Sequence, residues 1–296
     1  MKKYGEVEDM NLEINYYHVD VFADEKYAEN GLTVVLLKEE LAKEKMQMIA
    51  KEFKQFETIF LQLTDRNICR ARIFTIDEEF DFAGHPILGA GAVIHAAYFE
   101  HENAVEVEFV LNNKEVKVTS KKKENKFQVE MNQGISQFSN TISKEETQFF
   151  IEALQLTMQN VQEDYLPSVV SNGLPYLIIP LKSGIEKAQI IGDDLEQRLQ
   201  DVGAKFLYLY QFDVKTGRTW DNINKLEDVA TGSAAGPTAS YLWKAGCVAK
   251  EEVIEINQGQ FLQRPSVIKA RNDQKTGEVY VAGDVVILAK GYMLDL

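Results

Sequence analysis

Four side chains in this 296-residue sequence could perform acid–base chemistry together: Glu57, His85, Asp228 and Ser233. Glu57 opens an alternating stretch in which a period of two sets it on one face with Ile59, Leu61 and Leu63. A carboxyl among such neighbours is desolvated, and its pKa climbs toward the range useful for proton transfer. The same residue could equally start a strand with its head in water. His85 follows Gly84 at an expected helix start, where the positive dipole end disfavours imidazolium and leaves a neutral ring. A structural capping histidine fits that place as well. Ser233 holds the matching position after Gly232, where an ordinary N-cap is the commoner use of serine. Asp228 stands just ahead of that second turn and could orient the histidine or take up a proton, although a surface acidic pair with Glu227 is the commoner meaning.

These side chains need two glycine turns to hold them. The runs from Phe82 to Gly91 and from Ala230 to Pro237 each set a polar residue after a glycine and continue in Ala and Gly. Such a helix is thin enough to be packed on all sides. Its first turn presents unpaired N–H groups and the positive dipole end, which suit an anion. Pro86 and Pro237 are expected in or near first turns, where a missing N–H has no intrahelical partner to lose. Gly84 and Gly232 stand 148 positions apart, half the length of the chain, which points to two similar halves facing one small-molecule site.

Around the turns the pattern is strand-rich. Alternation and β-branched content predict strands over 16–22, 32–37, 57–63, 70–75, 104–111, 115–120 and 126–131. In the second half they predict strands over 168–171, 176–180, 206–212, 252–257, 266–272, 278–283 and 285–289. A polar loop is expected over 24–31. Helices are expected over 38–53 (inner face Leu41, Met48 and Ile49), 87–99, 144–154, 193–201 and from the second glycine turn to Ala245, capped by Gly246. The triplet Lys121–Lys123 reads as a solvated hairpin turn. The reading is an α+β fold of two similar domains, each an antiparallel-rich mixed sheet around a central helix. The first covers 1–127 with the last strand, 285–296, and the second covers 128–284.

Composition narrows the function. A net charge of −14 repels phosphate backbones and anionic membrane surfaces, so neither nucleic acid nor membrane is an expected partner. Two cysteines, Cys69 and Cys247, without metal-ligand spacing fit a reducing, cytoplasmic compartment. Residues 1–9 lack the apolar core of a secretion signal, and no run approaches the roughly 18–20 apolar residues that span a bilayer. The four histidines (His18, His85, His95, His101) form no recognised ligand pair, so no metal is expected.

Taken in order, the segments Phe56-Glu57-Thr58-Ile59-Phe60, Arg72-Ile73-Phe74-Thr75, Phe82-Ala83-Gly84-His85-Pro86 and Glu227-Asp228-Val229-Ala230-Thr231-Gly232-Ser233-Ala234 resemble the PhzF family of phenazine-biosynthesis-like isomerases. Asp20-Val21-Phe22, Asn30-Gly31, Gln258-Gly259, Arg264-Pro265-Ser266 and Ala282-Gly283 extend the likeness over nearly the whole chain. The resemblance implies the diaminopimelate-epimerase-like fold, with a site in the cleft between two domains, and proton transfer without a cofactor. It also implies a homodimer acting on a small, cyclic carboxylate. It makes Glu57 the acid/base, with His85, Asp228 and Ser233 as supporting catalytic positions and Asn30, Gly84, Thr231 and Gly232 as substrate contacts. The sequence departs from the family's usual residues at Val229, Phe56 and Ile87, where proline, serine and threonine are usual. The last two flank Glu57 and His85 and bear on pocket shape. A two-thiol racemase would need a cysteine at each glycine turn, and neither turn has one. The alternative of another class is a small-molecule-binding or regulatory protein that keeps the fold without turnover.

Overall fold

Strand-forming runs dominate the computed structural model, which describes residues 14–294 except 24, 28, 29, 193, 223, 224, 250 and 251. The 1–9 stretch read for a secretion signal lies outside the described residues, as do parts of the 24–31 loop and the expected helix start at 193. The fold is mixed α+β: one sixteen-stranded sheet and, among the described residues, five α-helices.

Strand β1 (Ile14–Val21) pairs antiparallel with β2 (Asn30–Leu36), and β2 runs parallel to β3 (Glu57–Asp65). Helix α1 (Lys43–Phe53) makes that crossover. β3 turns back on β4 (Ile68–Phe74), which carries the two-residue β5 (Glu79–Phe80). After α2 (Gly84–Tyr98) comes β6 (Ala104–Val110), parallel to β4. β7 (Glu115–Lys122) and β8 (Phe127–Ile135) complete a meander. The second run is β9 (Gln137–Thr141), α3 (Lys144–Glu152), β10 (Ser168–Ser171), β11 (Pro175–Leu181), α4 (Leu195–Asp201), β12 (Phe206–Gln211) and β13 (Thr216–Arg218). It ends with α5 (Gly232–Lys244), β14 (Ile254–Gln258), β15 (Ser266–Asn272) and β16 (Glu278–Met293). β16 pairs with β8 up to Val285 and with β1 from Val285 onward. The pairings therefore close a circuit from β1 back to β1 through β16.

Helix α2 lies within that circuit and is buried from Gly84 through His95. Its small residues are what allow this. A Cβ on Gly91 would sit 2.7 Å from Val118 Cγ1 and 2.9 Å from Val129 Cγ1, so only a bare backbone fits between those strands. His95 is consumed inside the packing, bonded through Nδ1 to Ser120 Oγ and through Nε2 to the Glu102 carbonyl, both at 2.9 Å. Helix α5 packs its Ala-rich face on β15 and β16, and both helices share one continuous apolar core.

Several sequence expectations are corrected. Helix α1 begins at Lys43 rather than 38, and Met46, Ile49 and Ala50 are its buried residues while Met48 is 63% exposed. Positions 46, 49, 50 and 53 repeat at helical spacing on one side, and 48 lies nearly opposite 46. The two closing strands are a single sixteen-residue strand. Gly283 stays extended within it, and its missing side chain makes room for the Phe22 ring. Lys121 and Lys122 belong to β7, and the turn is closed by the Lys123 N–H on the Lys126 carbonyl at 2.8 Å. Helix α2 starts at Gly84, not 87, so His85 is already in its first turn. Pro237 lies in the second turn of α5, inside the helix, and the carbonyl of Ser233 loses its intrahelical donor there. No helix among the described residues is long and apolar enough to cross a membrane.

Candidate active site

The two glycine turns meet. A Cβ on Gly84 would lie 3.0 Å from the Ser233 nitrogen and 3.1 Å from the Gly232 carbonyl carbon, so the N-termini of α2 and α5 touch backbone to backbone. Both helix starts open toward one cleft of about 670 Å³ with an adjoining lobe of about 560 Å³. Glu57, Asp228, Thr231 and Tyr176 line both parts, so they stand where the two join.

Glu57 is the first residue of β3, and the alternation that buries Ile59 and Leu61 brings its carboxyl inward to 16% side-chain exposure. Burial, reinforced by the nearby Asp228 carboxylate, pushes it up from 4.5 to about 8. Its Oε2 lies 3.2 Å from His85 Nε2. The pair does not reach hydrogen-bond geometry, and both atoms are buried without another partner. Burial also drives the imidazole down to about 3. At neutral pH the two therefore face each other as a largely protonated carboxyl and a neutral ring. A buried polar atom left unpaired costs roughly 1–3 kcal/mol, and a polar ligand group bridging the pair from the cleft side would satisfy both.

Asp228 is half-buried and lines the cleft. Its carboxyl is pushed up by burial and held back by a 2.6 Å bond from the Thr231 hydroxyl and by the Val229 and Ala230 N–H groups. The Thr231 hydroxyl is thus engaged in the loop and also accepts from Gln258 Nε2 at 2.8 Å. Gln258 is fully buried and binds the loop again through the Asp228 carbonyl at 2.9 Å and the Thr231 N–H at 3.2 Å. Glu227, far from forming a surface pair with Asp228, is locked to Arg218 through both oxygens at 2.5 and 2.8 Å. Arg218 in turn donates to the carbonyls of Ile185 and Ala188 and lies between the rings of Trp220 and Phe261. Asn30 lines the cleft, yet its amide is spent on the Ala230 carbonyl at 3.3 Å, a strut between residues 200 positions apart.

Ser233 is the second residue of α5 rather than its cap, which is Thr231. The Ser233 hydroxyl shares a 2.7 Å hydrogen bond with Tyr176, whose phenol burial keeps protonated. Phe56 lines the cleft and is 57% exposed, whereas Ile87 is fully buried and lies away from it. All eight residues expected from the sequence thus gather at or beside the meeting of the two turns. Tyr176, Arg218 and the positioning role of Gln258 were not foreseen; Tyr176 sits in an alternating strand like any other, and Arg218 finds Glu227 only through folding. Among the described residues no group of three His, Cys, Asp or Glu is arranged to hold a metal ion.

The fold is shared with known proteins. The phenazine biosynthesis-like family model matches residues 19–291. The chain belongs to that family. A solved structure described as a predicted epimerase of Pseudomonas aeruginosa superposes with a TM-score of 0.89 at 39% identity, over 96% of this chain and all of that one. A PhzF-family protein of Bacillus anthracis shares the fold with a TM-score of 0.81 at 21% identity, over 96% and 99% of the two chains. The trans-2,3-dihydro-3-hydroxyanthranilate isomerase of Pseudomonas chlororaphis is 28% identical over 294 residues, 94% of this chain and 98% of that one. This PhzF-family member is accordingly an isomerase.

Proposed function

We propose that this isomerase moves a proton between carbons of a small, cyclic carboxylate, with Glu57 as the general acid/base and no cofactor. The observation that carries the reading is the desolvated Glu57 carboxyl, pushed up to about 8, opposite a neutral His85 at 3.2 Å. A carboxyl tuned near ambient pH can both accept and return a proton, where an ordinary glutamate would be a poor acid. His85 positions the reacting group through one hydrogen bond. The first-turn N–H groups beyond Gly84 and Gly232 stabilise the negative charge that develops when the proton leaves carbon. Asp228 and Ser233 close the polar wall, with Ser233 held by Tyr176.

In this reading the chain works as two lobes, 1–127 with 285–296 and 128–284, meeting at the glycine turns. It works as a homodimer, for which sedimentation should give twice the chain mass. The test of the chemistry is exchange. Cyclic hydroxy and amino acids, trans-2,3-dihydro-3-hydroxyanthranilate among them, are incubated with the protein in heavy water. Deuterium should enter at carbon with the native protein and not with Glu57→Gln. Tight binding without exchange across the panel would favour a binding protein instead, and undiminished exchange in the variant would remove Glu57 from its role.

A further inference from the structure

The adjoining lobe has a charge character of its own. Lys114, on the β6–β7 turn, and Lys205, just before β12, line it, and Ser233 lies on its wall beside Asp228 and Thr231. The lysines come from opposite halves of the sequence. Lys114 lies against the Phe82 ring, its nitrogen 3.3 Å from the centroid, and reaches the β10–β11 turn at Gly173. Gly173 has φ +126°, which glycine permits, and a Cβ there would lie 3.4 Å from the Lys114 amine, an ordinary contact that puts the amine beside this turn. Burial pulls the amine down to about 8, and no carboxylate is within ion-pair distance of it among the described residues.

Acidic groups do share the lobe. Glu79 is already neutralised by Arg72 and Lys43, with Asn112 also donating to it. Glu78 and Asp81 are exposed. Lys114 is therefore a cation that has lost much of its water without gaining a counter-charge, which is unfavourable unless an anion arrives from outside. A chain of net charge −14 does not attract small anions in general, and Glu78, Asp81 and Asp228 line this lobe too, so the attraction is confined to the surroundings of the half-buried Lys114, with the exposed Lys205 lining the same lobe.

We propose that this lobe is a subsite for an anionic group of the ligand, a carboxylate or phosphate remote from the reacting carbon, held by Lys114 and Lys205. The substrate class becomes a dianion: one charged group at the glycine turns and a second in the lobe. The dianionic substrate rests on the proton-transfer reading, whereas the anion site itself does not.

The test is calorimetry on the full chain with glutarate, butyrate and inorganic phosphate as probes. Glutarate should bind about tenfold or more tightly than butyrate, the scale of one charge-assisted contact. Lys114→Gln and Lys205→Gln should each shrink that advantage, and the double variant should abolish it. Lys114→Arg should retain most of it, and Lys123→Gln, on an exposed turn outside the cleft, all of it. Phosphate outcompeting glutarate would mark a phosphorylated ligand, and the reverse a dicarboxylate. No glutarate advantage in the native protein, or one that survives in a folded Lys114→Gln or Lys205→Gln protein, overturns the proposal. Glu57→Gln separates the two readings, since it should abolish exchange and leave the glutarate advantage in place.

Discussion

Replacing Glu57 by Gln should make the protein more stable as it makes it inactive, and the gain should depend on pH. A carboxyl held at about 8 in the fold and 4.5 in its ordinary state favours the native protein most when both states are protonated. That advantage is complete below 4.5 and is lost as pH rises through 8, because the unfolded chain ionises first. The slope is about 1.4 kcal/mol per pH unit between those values. A glutamate at this position therefore costs the fold about 3 kcal/mol at pH 7 and about 5 kcal/mol above pH 8. Glutamine keeps the shape and cannot ionise. Urea unfolding of both proteins, followed by fluorescence of the two tryptophans, Trp220 and Trp243, from pH 5 to 9, gives the difference directly, and the pH dependence of groups that do not interact with Glu57 cancels. The variant should gain little at pH 5, and the gain should climb to a plateau above pH 8. A difference that changes by less than about 1 kcal/mol over that range, or that falls with pH, would refute the assignment of a desolvated, titrating carboxyl.

Four further outcomes are expected. The kcat/KM of carbon exchange should rise about tenfold per pH unit below about 8, as the base form of Glu57 accumulates, and level off above it; a profile flat from pH 6 to 9 would contradict this. Gly84→Ala should cost roughly 1–3 kcal/mol in chemical denaturation and abolish exchange, because the new methyl meets the backbone of Gly232 and Ser233 at 3.0–3.1 Å. Arg218→Met should destabilise by about 3–5 kcal/mol, read as a lowered denaturation midpoint, since it strands the buried Glu227. Tyr176→Phe should lower kcat of exchange while shifting stability by only about 1 kcal/mol, because it frees the Ser233 hydroxyl and leaves the ring packing intact.

Much of the fold was legible in local pattern. The burial of Ile59 and Leu61 with Glu57 at the head of their strand follows from a period of two, which backbone geometry imposes on any strand. The two glycine turns were legible because small residues leave little choice but close packing. Where inference failed, either a tertiary contact had overruled a local rule or the start or inner face of a helix differed from the one expected. Two strands, 278–283 and 285–289, are expected at the close, yet Phe22 fills the space above Gly283 and a single strand continues. Pro237 reads as a first-turn residue, yet the helix starts five residues earlier, at Gly232. Met48 reads as core, yet the face of α1 that meets Val35, Phe60 and Phe74 carries Met46 instead.

The sequence by itself determined the residue types for the chemistry, the two turns to carry them and the family to which they belong. Those properties live in short stretches of chain, where spacing dictates which side chains can share a face. Only the tertiary structure decided that the turns touch and that Thr231 and Asn30 are held by the loop. It alone stripped the water from Glu57 and Lys114. Desolvation and charge are sums over groups distant in sequence, such as residues 57 and 228 or 114 and 205, and no local pattern contains them.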